Sequence, residues 1–217
     1  MDNTDQKPRH ANQFTIFNPS TDHKKIVIVW AGWIWSTTTY LLAQMGFSDI
    51  TVIDFDTVEN HNVASQFYKT SQIGLPKVEA LAQNVLEFTA VEITAINGRY
   101  APEYTKNADI VILAVDNMEV RRNIVETCEA KMAIIDWRMW GEVFITYAFD
   151  PMIEKERWLE TWFPSSEAAH EVCTAKAISY NCAGIATFIT KLAKDIAKWK
   201  RYPFEMTMDL WNFYLDK

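Results

Sequence analysis

The chain has 217 residues, of which 49% are hydrophobic, and this composition suits one α/β domain with a sizeable core. Its net charge of −7 argues against a general nucleic-acid-binding surface. No run of about 18 apolar residues is present, and the polar start MDNTDQKPRH does not resemble a signal peptide. We therefore expect a cytoplasmic protein without a membrane or nucleic-acid partner.

Strands and helices are predicted to alternate along most of the chain. After a polar extension over residues 1–22, the pattern predicts a single nucleotide-binding domain over residues 23–217. The predicted strands are 26–29, 50–54, 91–96, 109–114 and 132–136, and the predicted helices are 36–45, one beginning near Lys77, 118–131 and 178–199. Residues 142–151 resemble an added strand of opposite sense, and residues 153–175 a mixed loop. This order predicts an α/β fold with a doubly wound, mostly parallel, Rossmann-like sheet and an antiparallel extension at the C-terminal part, with ligands at the carboxyl ends of the strands.

The turn after the first strand carries tryptophan where a nucleotide-binding turn has glycine. Residues 24–36 are KKIVIVWAGWIWS, and glycine at positions 30, 33 and 35 would create the G-x-G-x-x-G fingerprint. In that fingerprint the glycines form the tight turn, let backbone N–H groups approach phosphate, and let the helix pack on the strand. An indole side chain does none of these. Ser36 to Thr39 are expected either to cap the helix that follows or to contact phosphate, and capping is the favoured role.

The same exchange is suspected elsewhere, because the chain is poor in glycine. At the usual frequency about 15 glycines are expected, whereas the chain has 6 Gly and 9 Trp. Residues 136–142, DWRMWGE, stand where a strand is predicted to end in a flexible, glycine-rich turn. We hypothesise that Trp30, Trp33, Trp35, Trp137 and Trp140 stand for glycine. Either the source organism decodes TGA codons as glycine, or a bulky residue was introduced to block a pocket; the third alternative is native core tryptophans.

Acidic and amide side chains follow the second predicted strand. Asp54 ends that strand about 20 residues after the glycine-like turn, where a carboxylate can accept hydrogen bonds from ribose hydroxyls. The alternative is that Asp54 is a turn residue. Asp56, Asn62 and Gln66 follow in a polar loop.

A lysine and a second acidic pair are predicted at the same edge of the sheet. Lys77 stands at a helix start, where its ammonium can reach a phosphate as a point charge, or else is simply solvated. Asp116 and Asn117 follow strand 109–114. Three carboxylates, those of Asp54, Asp56 and Asp116, would repel a triphosphate without a cation. We therefore expect Mg²⁺, held by Asp116.

These residues carry a family resemblance. The ordered set of the strand, the glycine-like turn, DFDTVENHNVASQF, GLPKVEA, AVDNMEVRRNI and CTAKAISYNCAGIATFITKL resembles the ThiF/MoeB/HesA branch of the ubiquitin-activating-enzyme superfamily. The resemblance extends from Lys24 to Lys194. It implies an adenylyltransferase that uses Mg-ATP to adenylate the C-terminal carboxylate of a ubiquitin-like or sulfur-carrier protein, releases pyrophosphate, and acts as a homodimer.

The family's motif residues fall on particular positions of this chain. Its catalytic aspartate, lysine and arginine match Asp116, Lys77 and Arg121, with Asp116 as the magnesium ligand. Its nucleotide-binding set matches Trp30, Gly32, Trp33, Trp35, Asp54, Asp56, Asn62, Gln66, Lys77, Asp116 and Asn117.

The chain also departs from the family pattern. Ser65 stands where relatives often have a phosphate-contacting arginine, and Arg9 is the only candidate for an arginine lent across the dimer. Cys173 lies near a functional cysteine of some relatives, but a lone cysteine is more often inert. Cys128, Cys173 and Cys182 form no C-x-x-C pair, so neither a disulfide framework nor a zinc site is expected.

Two other functions remain open. An NAD(P)-dependent oxidoreductase shares the turn and Asp54, but it does not account for Lys77 or for the pair Asp116 and Asn117. A catalytically dead, activating-enzyme-like scaffold is favoured if the tryptophans are truly in the polypeptide. Indoles at positions 30, 33 and 35 would fill the phosphate space, so the chain as written is predicted to bind ATP poorly or not at all.

Overall fold

A single mixed sheet organises the protein. The computed structural model describes residues 8–30, 32–113, 115–167 and 178–217. Their strands are β1 (Lys25–Val29), β2 (Asp49–Asp54), β3 (Thr94–Asn97), β4 (Ile110–Leu113), β5 (Ala133–Trp140), β6 (Val143–Phe149), β7 (Glu205–Asp209) and β8 (Tyr214–Asp216). The sheet order is β3-β2-β1-β4-β5-β6-β7-β8. Pairing is parallel from β3 across to β5 and antiparallel from β5 to β8, which confirms the predicted fold class.

Helices cover both faces of the parallel part. They are α1 (Trp33–Met45), α2 (Lys77–Thr89), α3 (Met118–Thr127), α4 (Lys155–Leu159) and α5 (Ser179–Ala197). None of the helices in the described part of the chain combines the length and apolar character needed to cross a membrane.

The core consists of two layers separated by the sheet. Successive side chains of a strand point to opposite faces, so Ile26 and Ile28 of β1 pack with α1, α2 and α5. Val27 and Val29 pack on the other face with α3 and α4. A strand buried on both faces has a continuous apolar sequence, and KIVIV in β1 shows this pattern.

The N-terminal segment contributes to one of these layers. Phe17 is buried, and its ring centroid lies 4.7 Å from that of Phe47. A short 3-10 turn, Ala11–Gln13, precedes it.

The strand order places the topological switch point of the sheet between β1 and β4. From β1 the chain winds outward through β2 to β3, then returns to the other side of β1 and continues through β4 to β5. In open α/β sheets, ligands bind at such a switch point, outside the carboxyl ends of the strands.

Two local predictions were wrong. Helix α1 begins at Trp33 instead of residue 36, so Ser36 lies inside its first turn, where its hydroxyl oxygen accepts the Phe67 N–H at 2.9 Å. Gly32 is the N-cap of α1, and no side chain caps the helix there.

The predicted glycine-rich turn over residues 136–142 is also absent, because β5 continues to Trp140. Its last residues pair with β6 from Trp137↔Thr146 to Trp140↔Val143. Only Gly141 and Glu142 form the hairpin loop, with φ 63° at Gly141. Strand β6 confirms the predicted strand of opposite sense, and its pairing with β5 continues β5 beyond the predicted end. Strands β7 and β8 and helix α4 were not predicted.

Candidate functional site

The turn after β1 is built around Trp30. Its backbone N–H donates to the Ile53 carbonyl at 2.6 Å, and its φ is 87°. Its ring meets Phe55 edge-on, with centroids 4.7 Å apart. Gly32 follows as the N-cap of α1 in extended conformation. Ala31 and the side chain of Trp33 lie outside the described residues.

Asp54 closes the end of β2 and is buried. Its carboxylate accepts the backbone N–H of Asp56 at 2.8 Å, as a turn residue does. Its carbonyl accepts the N–H of Gly98 at 3.1 Å, which ties the end of β3 to the end of β2. The structure therefore supports the turn role directly, and the ribose contact stays a prediction.

Asp56 and Lys77 form an ion pair at the start of α2. The Lys77 Nζ lies 2.8 Å from the Asp56 carboxylate, and the lysine side chain is only 9% exposed. The Lys77 N–H also donates to the Asp56 carbonyl at 2.9 Å. A partly buried ammonium is thus held at the ligand edge of the sheet. Because the Lys77 ammonium neutralises Asp56, a triphosphate at this edge would be repelled less than by three unpaired carboxylates.

In the polar loop after β2, the side-chain amides of Asn62 and Gln66 differ in their hydrogen bonding within the described residues. The Asn62 Oδ1 accepts the N–H of Glu59 at 2.8 Å, which stabilises the local 3-10 turn. Gln66 is buried, and neither atom of its side-chain amide finds a hydrogen-bond partner within the described residues. An unpaired buried amide is unfavourable, so Gln66 is the loop residue whose chemistry best fits a ligand contact.

Asp116 and Asn117 lie in the loop between β4 and α3. Both are exposed, and the Asn117 Oδ1 caps α3 by accepting the Val120 N–H at 2.9 Å. An exposed carboxylate at this edge fits a Mg²⁺ ion, which takes one or two carboxylates together with phosphate and water. Across the described residues, no group of three or more His, Cys, Asp and Glu could hold a metal ion.

Arg121 is buried beside β5. Its Nη1 bonds to the Asp136 carboxylate and donates to the Trp137 carbonyl at 2.6 Å, while its Nε has no partner in the described structure. Asp136 also accepts from Arg138 and from the Trp158 indole N–H at 3.2 and 2.9 Å. A phosphate contact by Arg121 stays a prediction, since its guanidinium is already engaged by Asp136.

Trp35 and Trp137 meet inside the core. Their ring centroids are 5.6 Å apart, and the side chains are 1% and 8% exposed. Neither indole N–H has a hydrogen-bond partner in the part of the chain that the structure describes.

The structure adds three residues that sequence reasoning missed. Burial raises the pKa of the Tyr68 hydroxyl well above its usual value, and the nearby charges of Asp54 and Asp56 raise it further. Arg99 lies over the Phe55 ring at 4.4 Å. Asp136 anchors Arg121. Arg99 follows β3, and Asp136 lies within β5 at the end of the strand predicted from the sequence, so these positions were the available signals.

The remaining candidates are placed as follows. Arg9 donates to the Thr89 carbonyl at the end of α2, and Ser65 is half-buried. Cys173 lies outside the described residues. Cys128 and Cys182 are buried, and burial raises the pKa of both thiols, that of Cys182 to about 11. These two thiols are therefore poor nucleophiles at neutral pH.

A protein-family model described as the ThiF family matches residues 20–193. Curated relatives match a shorter region. SUMO-activating enzyme subunit 2 of Dictyostelium discoideum is 32% identical over 111 residues, covering 48% of this chain and 17% of that protein. Ubiquitin-like modifier-activating enzyme 5 of Oryza sativa subsp. japonica is 27% identical over 121 residues, covering 48% of this chain and 29% of that protein. The chain thus spans less than a third of the length of these two relatives.

Solved structures share the fold over nearly the whole chain. A crystal structure of PaaA has a TM-score of 0.74 at 16% identity, covering 100% of this chain and 76% of that one. A crystal structure of E. coli MccB with ATP has a TM-score of 0.71 at 14% identity, covering 99% and 71%. At these identities the likeness concerns the fold alone.

Proposed function

Because the chain belongs to the ThiF family, we propose that it adenylates the C-terminal carboxylate of a ubiquitin-like or sulfur-carrier protein with ATP and releases pyrophosphate. The observation that carries the proposal is the family match over residues 20–193. The ion pair of Asp56 and Lys77 at the ligand edge, with exposed Asp116 on a neighbouring loop, supports it. The family match also favours adenylation over an NAD(P)-dependent oxidoreductase.

Each proposed role follows from the chemistry of the side chain. Asp54 orients the ribose, with Asn62 and Gln66 beside it. Lys77 exchanges its bond to Asp56 for a bond to phosphate, as a flexible ammonium can. Asp116 holds Mg²⁺, which neutralises phosphate charge when it is bound.

The proposed reaction requires no general base. A carboxylate oxygen of the acceptor protein attacks the α-phosphorus of ATP, the P–O bond to the β-phosphate breaks, and pyrophosphate leaves. A carboxylate is already ionised at neutral pH, so no proton has to be removed. The protein contributes positioning and charge stabilisation. We propose residues 23–217 as the domain that does this, working as a homodimer in the cytoplasm.

A scaffold without catalysis is the second candidate. Trp30 occupies the turn where phosphate would be cradled, and its indole lies against Phe55. If this arrangement excludes ATP, the chain acts as a binding partner within a larger activating complex.

ATP–pyrophosphate exchange tests the proposal. Purified chain, and the same chain with glycine at positions 30, 35 and 137, are incubated with candidate carrier proteins, and with the same carriers ending in a carboxamide. Exchange that needs the free carboxylate supports adenylation. Lys77→Met should abolish it, whereas Lys69→Met, which removes an exposed pair with Glu87, should not. Absence of exchange in both chains, with both folded, would support the scaffold.

A further inference from the structure

Position 30 has the backbone of a glycine. The φ of Trp30 is 87°, in the left-handed region. In this region a Cβ atom clashes with the backbone, whereas glycine, which has no Cβ, adopts it freely. The Trp30 indole is half-buried and packs against both core layers. It therefore stands at the end of β1, between the two faces of the sheet.

Trp35 and Trp137 meet in one of the two core layers that Trp30 contacts. Two neighbours of this pair also carry buried polar atoms without partners among the described residues, namely Arg121 Nε and Thr146 Oγ1. Thr146 is directly opposite Trp137 in the β5–β6 ladder, so both side chains point to the same face. The Arg121 guanidinium lies 6.0 Å from the Trp137 ring. The Trp35–Trp137 site therefore lies beside a guanidinium nitrogen and a hydroxyl that have no partner within the described residues.

This site coincides with the ligand edge of the sheet. Trp137 follows Asp136, which pairs with Leu113 at the carboxyl end of β4. Trp35 lies in the first turn of α1, which begins directly after the β1 turn. Without the indoles, an anionic group entering the crevice between β1 and β4 would meet the Arg121 Nε–H and the Thr146 hydroxyl.

We propose that Trp30, Trp35 and Trp137 stand at glycine positions and together close the nucleotide crevice, which with glycine at all three positions takes the phosphates of a nucleoside triphosphate. The inference rests on the proposed function, because it identifies what controls access to that same site.

Trp199 shows that the exchange extends beyond the site. It follows α5 with φ 54° and is 80% exposed, at the position after a helix where glycine is most frequent. Its neighbour Lys198 pairs with Asp22, which precedes β1, so Trp199 lies at the opposite edge of the sheet from the crevice. A replacement chosen to block a pocket has no reason to include it. Decoding of glycine codons as tryptophan along the whole chain, by contrast, accounts for Trp199 as well as for the tryptophans at the site.

Codon sequencing tests this origin. We expect TGA at positions 30, 35, 137 and 199 in the source DNA. TGG at all four would overturn the assignment of these positions to glycine.

Isothermal titration with Mg-ATP tests the closed crevice. The variants are the chain itself, the triple variant Trp30→Gly/Trp35→Gly/Trp137→Gly, and Trp211→Gly as a control at an exposed turn, where 76% of the side chain is accessible. We expect at least tenfold tighter binding by the triple variant than by the chain itself or the control. Equal micromolar affinity in all three overturns the closed crevice and leaves the proposed function standing. Absence of binding by a folded triple variant overturns both.

A single variant keeps the test decisive if the triple variant does not fold. Trp30→Gly removes a half-buried side chain and leaves the Trp35–Trp137 contact in place. It is expected to show a measurable gain in Mg-ATP affinity over the chain itself. A folded Trp30→Gly protein with no gain overturns the proposal.

Discussion

At the scale of single residues, the Asp56–Lys77 pair has both a structural and a proposed chemical role. The lysine is nearly inaccessible, whereas the aspartate is 36% exposed. A buried ammonium is unfavourable without a partner. Lys77 therefore needs an anion at all times, and Asp56 supplies it when no phosphate is present.

Asp56→Ala is predicted to destabilise the fold by about 1–3 kcal/mol, because it leaves Lys77 unpaired. The measurement is urea unfolding. Glu87→Ala, which breaks the exposed pair with Lys69, should cost at most about 0.5 kcal/mol. Equal losses in the two variants would show that burial of Lys77 is irrelevant.

The Cys182 thiol provides a prediction on pH. Burial raises its pKa to about 11 in the folded protein from 9.0. Above about pH 9 the unfolded chain loses this proton first, so the contribution of Cys182 to stability is lost as the pH rises toward about 11. The free energy of unfolding should therefore decrease more between about pH 8 and about pH 10.5 in the original chain than in Cys182→Ala. Identical slopes would contradict the raised pKa.

At the scale of elements, one buried carboxylate joins α3, β5 and α4. Asp136 is fully buried and binds Arg121 of α3, Arg138 of its own strand and the Trp158 indole of α4. Arg138 also donates hydrogen bonds to the carbonyl and hydroxyl oxygens of Thr161, at 2.6 and 3.0 Å. The position of α3, and with it the loop of Asp116, therefore depends on a charge inside the sheet.

Asp136→Asn keeps the shape of the side chain but removes its charge, and it should destabilise the protein by about 3–5 kcal/mol. Glu126→Gln removes the exposed partner of Arg122 in the same helix and should change stability by less than about 0.5 kcal/mol. Denaturant unfolding of both variants measures the difference. A loss below about 1 kcal/mol for Asp136→Asn would rule out a dependence of α3 on this charge.

The end of α5 provides a second prediction at this scale. Trp199→Gly is expected to stabilise the protein by about 1 kcal/mol, because glycine adopts the left-handed backbone without strain and little packing is lost. Trp211→Gly, at an exposed position without a positive φ, should not stabilise. Thermal unfolding compares the two. A destabilised Trp199→Gly protein would contradict the glycine assignment at this helix end.

At the scale of the whole molecule, the parallel half of the sheet creates the crevice and the antiparallel half supports it. Strands β1, β2 and β4 bring their carboxyl ends to one edge. Strand β6 extends β5 and places Thr146 beside Trp137. Residues far apart in sequence thereby define the same site.

Ligand binding to the folded state should appear as added stability. With Mg-ATP at about a hundredfold over Kd, the triple glycine variant should gain about 2.7 kcal/mol, and the chain itself should gain nothing detectable. Thermal unfolding with and without Mg-ATP measures this gain. Chelation of Mg²⁺ by EDTA should reduce it, because the proposed ion at Asp116 offsets phosphate charge; an unchanged gain would contradict that role.

The sequence by itself determined the elements whose signals are local. The apolar run of β1, the acidic end of β2, the helix that starts at Lys77 and the alternation of strands and helices predicted the sheet class. Asp54, Lys77 and Asp116 were located for the same reason, since strand ends and helix starts have recognisable composition. The positive φ of Trp30 also agrees with the glycine that the motif led us to expect.

The tertiary structure alone decided which distant groups meet. It extended β5 to Trp140 through pairing with β6, engaged Arg121 with Asp136, and brought Trp35 against Trp137. In the structure α1 also starts at Trp33, and the Ser36 hydroxyl oxygen accepts the Phe67 N–H instead of capping the helix. The physical reason is that strand pairing, burial of charge and ring packing depend on partners remote in sequence, whose identity no local period or turn residue encodes.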